Sequence, residues 1–126
     1  MSDREPPIDE AHARELLQRE RERIEAQLAD VERLRRSELD GIETATDPDD
    51  DAELIEERAR DEELAEPLRG RLEAIGRAEK RLKDGTYGFS VESGAPIPAA
   101  RLEAIPWAER TTEEQQHYER IHGRPY

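Results

Sequence analysis

A chain of 126 residues has the length of one domain, but 42% charged against 33% apolar side chains leaves too little apolar surface for a wide globular core; that balance suits paired amphipathic helices, each burying one stripe. The formal charge of -13 is concentrated: residues 1–46 carry 13 acids and 8 bases, residues 47–66 carry 11 and 2, and residues 67–126 carry 9 and 10. A surface of that sign repels phosphate, which argues against direct DNA or RNA binding and favours cationic protein surfaces or divalent cations. No apolar run approaches membrane-spanning length and no basic-then-apolar leader opens the chain, so the expectation is a soluble, cytoplasmic protein with no membrane partner. Cys is absent, so disulfides and thiolate metal ligands are excluded.

In chain order, residues 1–10 read as a flexible tail, because Pro6-Pro7 opposes helix, with a helix cap near Asp9. From Ala11 to about Ile42 the spacing of Leu17, Ile24, Leu28, Val31, Leu34 and Ile42 predicts one amphipathic helix, roughly 45 Å long at 1.5 Å per residue. Its remaining faces are Glu and Arg in i,i+4 pairs such as Glu15-Arg19 and Glu32-Arg36, a solvated surface. Gly41 to Asp51 breaks the pattern with turn and cap residues. Helical spacing resumes at Ala52 and runs through Ile55, Ala59, Leu64, Ala65, Leu68, Leu72, Ile75 and Leu82. Two such helices joined by a short turn are expected to pair antiparallel over residues 11–84, each burying its stripe on the other. Pro67 predicts a kink or short break in the second helix, unless it opens a new one at its first position.

Residues 85–126 form a compact knob. Phe89, Val91, Ile97, Leu102, Ile105 and Trp107 are its expected core, and Thr111 to about His122 a short C-terminal helix. Thr111 and Glu114 stand at the N-cap and N3 positions of a capping box, and the Ser90 to Gly94 turn offers hydroxyl-to-backbone bonds of the same kind. Fold class is thus mainly α: a long antiparallel helical hairpin, or coiled coil, with a small knob and a short C-terminal helix.

Two sequence signatures at opposite ends of the hairpin carry a family resemblance. One is Gly85-Thr86-Tyr87-Gly88-Phe89-Ser90-Val91-Glu92-Ser93-Gly94, then Arg101-Leu102-Glu103-Ala104-Ile105-Pro106, then Thr111-Thr112-Glu113-Glu114; the other is Asp47-Pro48-Asp49-Asp50-Asp51-Ala52. Together they resemble the DksA/TraR family of bacterial RNA polymerase regulators, whose knob pattern is GTYG-x-C-x-x-C-G, RLEA-x-P and C-x-x-C and whose tip pattern is D-x-x-D-x-A. The resemblance covers roughly residues 11–120. It implies a zinc-finger-like knob in which Ser90, Ser93, Thr111 and Glu114 stand at the four ligand positions, and hydroxyls that basic do not replace thiolates around zinc. The expectation is therefore a zinc-independent knob with no metal and no cofactor. The resemblance also implies a regulator that binds RNA polymerase as a monomer and inserts the acidic tip into the secondary channel, with Asp50 as effector, Asp47 as supporting contact and cap, and Ala52 as the small residue that permits close approach. Ala74, Ile105 and Gln115 stand where alarmone-responsive members carry basic side chains, which argues against alarmone dependence even with Arg101 and Arg110 nearby.

Residue chemistry alone leaves other readings of the tip. Asp47 or Asp50 near a helix N-terminus is the ordinary cap, contributing about 0.3 to 1 kcal/mol. A calcium loop through Asp47, Asp49 and Asp51 lacks the Gly needed where Ala52 stands and the Glu needed where Arg58 stands. His12, His117 and His122 are isolated imidazoles, and Trp107 and Tyr118 suit a knob core better than a stacking platform. No nucleophile elbow, phosphate loop or dinucleotide motif occurs, and exposed acids on a turn do not make an enzyme pocket, so no enzymatic activity is expected. The alternative to a polymerase regulator is a coiled-coil adaptor that binds another basic protein without acting on transcription.

Overall fold

The computed structural model describes the backbone of residues 5–44 and 48–123, and side chains within those ranges except at 38–54, 57–59 and 61. Four helices follow in order: α1 (Glu10–Thr44), α2 (Pro48–Asp84), α3 (Ala99–Ala104) and α4 (Thr112–His122). No strand occurs among the described residues, and the single bridge pairs Phe89 with Pro96. Both long helices exceed their expected spans at the turn, since α1 continues through Gly41 to Thr44 and α2 starts at Pro48. Pro48 is at the first helical position, where its fixed φ suits the helix and its missing N–H would have had no intrahelical partner.

The helices start and stop for identifiable reasons. Asp9 caps α1 as expected, its Oδ2 accepting from the His12 N–H at 3.3 Å while its carbonyl accepts from Ala13 at 2.9 Å. Ile8 and Ala13 occupy the two positions of a hydrophobic staple, and both are buried. Pro6 and Pro7 lie against the knob, with Pro7 Cδ 2.8 Å from where a Cβ on Gly88 would stand, and Ile8 is buried. At the far end of α2, Thr86 N–H donates to Arg81 O and Gly85 N–H to Leu82 O, with Gly85 at φ +79°, which is a Schellman stop.

The described residues fall into two compact units, residues 1–21 with 73–126, and residues 22–72. Within the second, the α1–α2 pairing is antiparallel: Arg35 of α1 pairs with Glu62 of α2, and Glu32, one turn earlier, faces Arg69 further along. Ile24 and Ala65 are buried there, while Leu34, Ile55 and Leu64, all expected in the stripes, are exposed, so the stripe is narrower than the spacing predicts and runs through Ala65. α2 passes through Pro67 without the expected break. Arg69 Nη1 reaches back over Pro67 to Glu62 Oε2 at 3.1 Å, and Arg35 holds the same carboxylate from α1. Those charges splint the turn that lacks a hydrogen bond, and the Arg69 bond holds Glu62 below the usual carboxylate range.

Within the first unit, Ala13 and Leu17 of α1 and Ala74, Ile75 and Ala78 of α2 are buried. Alanines bring the helix backbones close, and Arg21 locks the pair through Glu79 with bonds of 3.0 and 2.5 Å. No described helix is long and apolar enough to cross a membrane.

Candidate functional site

The knob is built around Tyr87, Phe89, Ile97, Leu102 and Pro106, all buried. Phe89, Ile97 and Leu102 were expected; Val91 is instead 49% exposed, and Ile105 and Trp107 are only half-buried. Tyr87 fills the place, its hydroxyl donating to Pro106 O at 2.8 Å, and burial pushes its pKa up to about 12. Gly88 has φ +91° and its carbonyl accepts from Ile97 N–H, so the backbone turns there under the Pro6-Pro7 strap.

Four side chains at the ligand-like positions converge in the knob. Ser90, buried, accepts from the N–H groups of Glu92 at 3.1 Å and Ser93 at 3.3 Å, and Ser93 Oγ accepts from Ala95 N–H at 3.2 Å. These bonds hold the tight Ser90–Gly94 turn, closed by Gly94 N–H to Ser90 O at 3.0 Å. Across from it, Thr111 Oγ1 accepts from Glu114 N–H at 3.3 Å and Glu114 Oε1 accepts from Thr111 N–H at 2.9 Å, the reciprocal capping box that starts α4. The two halves meet at Glu114. The Thr111 backbone bond first, then the Ser93 and Ser90 hydroxyls, hold its carboxyl down to about 2.

This donor set does not fit zinc. Three neutral hydroxyls are poor ligands, and the one carboxylate is already engaged by a backbone N–H and by hydroxyls. A hydrogen-bonded clasp centred on Glu114 joins the turn after Tyr87 to the start of α4.

At the tip, Asp50 and Ala52 lie in the first turns of α2, and Asp47 lies outside the described residues. His12 Nε2 is 2.6 Å from Glu103 Oε1, and His122 stacks on Tyr118 with ring centroids 4.0 Å apart. Among the described residues no cluster of three or more His, Asp or Glu is placed to hold a metal ion.

Sequence reasoning missed a second polar centre. Glu109, mostly buried, receives Arg77 and Arg81 from α2 and Arg110 from its own segment. The signal was present: Arg77 and Arg81 form a like-charge i,i+4 pair, unfavourable on a helix unless an acid elsewhere serves both.

A helical hairpin whose open end carries a small hydrogen-bonded knob defines the class of protein. No family model matches the chain. General stress protein 16O of Bacillus subtilis (strain 168) is 41% identical over 70 residues, which is 56% of this chain and 43% of that protein. The RNA polymerase-binding transcription factor DksA of Caulobacter vibrioides is 37% identical over 75 residues, 55% of this chain and 53% of that protein. The matched segment thus spans about half the length of these curated relatives. Among solved structures, transcription factor DksA2 from Pseudomonas aeruginosa superposes with a TM-score of 0.75 at 29% identity, covering 91% of this chain and 86% of that one. Over the matched segment the chain is homologous to DksA, and it shares the DksA2 fold.

Proposed function

We propose that this protein is a transcription regulator that binds RNA polymerase directly as a monomer in the cytoplasm and inserts the 47–52 tip into the secondary channel, where it modulates promoter complexes without catalysis of its own. The observation that carries the reading is the match to transcription factor DksA2 across 91% of the chain, hairpin and knob together, with the acidic D-x-x-D-x-A signature retained in sequence. A slim helix pair suits a narrow passage, and carboxylates at its end suit the basic side chains or magnesium environment of a polymerase active site. In this reading Asp50 acts on the active site, Asp47 supports it, and Ala52 leaves room for close approach. Nucleic acid is not a direct partner, because the segment with the greatest excess of acid, residues 47–66, repels phosphate.

The test is transcription in vitro with purified polymerase. Asp50→Asn keeps size and removes charge, so folding and polymerase affinity are expected to survive while the effect on promoter-complex lifetime falls at least fivefold; Asp49→Asn is expected to matter less. Full regulation by Asp50→Asn sinks the tip mechanism. Absence of polymerase binding by the parent chain favours the adaptor.

A further inference from the structure

The covalent link between α2 and the knob turns at two glycines. It runs through Gly85 at φ +79° and Gly88 at φ +91°, and apolar packing alone is non-directional. Glu109 supplies direction. Its Oε1 accepts from Arg77 Nε at 2.5 Å and from Arg81 Nη1 at 3.2 Å, both on the last turns of α2. Its Oε2 faces Arg110 Nη1 at 3.4 Å, and Arg110 in turn donates to Glu92 Oε1 at 2.8 Å in the Ser90–Gly94 turn. The Arg110 guanidinium also lies 3.9 Å over the Tyr118 ring of α4, and Arg101 Nε donates to Arg110 O at 2.8 Å. The main chain of Glu109 joins in, its carbonyl accepting from Val91 N–H at 2.9 Å.

Glu109 thus holds the end of α2 directly and, through Arg110, is linked to the Ser90–Gly94 turn and to α4. Arg81 is desolvated strongly enough that burial lowers its pKa, and its Nη2 is buried with no hydrogen-bond partner among the described residues. A buried guanidinium left without its counterion is costly, so the Glu109 contact is directional and hard to give up.

We propose that Glu109 is a positioning residue that fixes α4 and the knob at one angle to the end of α2. Its bearing on transcription rests on the polymerase reading above; the geometric part does not.

The full chain tests it. Because cysteine is absent, cysteines placed at exposed Lys80 on α2 and exposed Gln116 on α4 accept one spin label each. The parent is expected to give one narrow distance distribution, and Glu109→Gln one at least twice as broad with helix content unchanged. Equal widths overturn the proposal. Should Glu109→Gln unfold the knob, Arg77→Gln removes one of the α2 bonds from a half-exposed arginine and leaves Arg81 paired. That variant is expected to broaden the distribution by an intermediate amount, and an unbroadened one counts against the idea equally.

With polymerase, Glu109→Gln is expected to bind within about threefold of the parent while its effect on promoter-complex lifetime falls at least fivefold. A parallel loss of both marks a merely structural role and overturns positioning. If the parent itself does not bind polymerase, the functional reading fails and the distance measurement still decides the positioning claim.

Discussion

Glu114 is the residue on which the knob's polar clasp turns, and its titration has a definite sign. Its folded-state carboxyl is held near 2 against an ordinary 4.5, chiefly by the Thr111 backbone N–H and then by the Ser93 hydroxyl. A depressed carboxylate contributes stability that is fully present above pH 4.5 and is lost as pH falls toward 2. Glu114→Gln retains the capping geometry and removes the charge, so at pH 7 it is expected to destabilise by about 0.5 to 1 kcal/mol. The difference from the parent in urea unfolding is expected to shrink between pH 4.5 and 2; a difference independent of pH contradicts the clasp. Gly88 makes a second test at this scale. With φ +91° and a Cβ that would stand 2.8 Å from Pro7 Cδ, Gly88→Ala is expected to cost about 1 to 3 kcal/mol in thermal or denaturant unfolding. Removing residues 1–8 together with that substitution relieves the contact but not the backbone strain, so only part of the cost is expected to return.

Among the elements, α2 is the one whose sequence argues against itself. Pro67 sits inside a 37-residue helix, and the carbonyl one turn before it, on Glu63, has no N–H to accept from at that position. Flanking residues are tied on both sides, by the Glu62–Arg69 bond along α2 and the Arg35–Glu62 pair from α1, and part-exposed pairs of this kind offset only a part of the proline's cost of about 3 kcal/mol. Pro67→Ala restores the donor and is expected to stabilise the chain by about 1 to 3 kcal/mol, read as a raised unfolding midpoint with unchanged helix content. A lowered midpoint identifies Pro67 as a local conformational requirement. α4 shows the opposite case. It has no fully buried residue, yet its start is set by the Thr111–Glu114 capping box and its end by Gly123 at φ +73°, both legible from the sequence.

For the whole molecule, a knob without any cysteine makes a prediction about metal. The knob is held by buried Tyr87, Phe89, Ile97, Leu102 and Pro106, each apolar side chain of that size contributing about 1.5 to 3 kcal/mol when fully buried, and by the Glu114 clasp. Purified protein is expected to carry no stoichiometric zinc by elemental analysis, and its unfolding midpoint is expected to be the same with and without chelator. Stoichiometric zinc, or a chelator-induced fall in the midpoint, refutes a metal-independent knob. Thiol oxidants are expected to leave it unchanged, since no cysteine is present.

Local rules written in the chain determined the helices, the Asp9 and Thr111 caps and the antiparallel pairing, because periodic stripes, cap residues and turn residues act over a few positions. Tertiary structure alone decided that Val91 faces solvent while Tyr87 goes inside, that Pro6 and Pro7 pack on Gly88, and that Ala65 rather than Leu64 faces inward. It also brought Ser90 and Ser93 onto Glu114, and Arg77, Arg81 and Arg110 onto Glu109. These contacts join residues up to several tens of positions apart in sequence. Which hydroxyl meets which carboxylate depends on how the turns close and how the elements pack, and no short-range pattern carries that information.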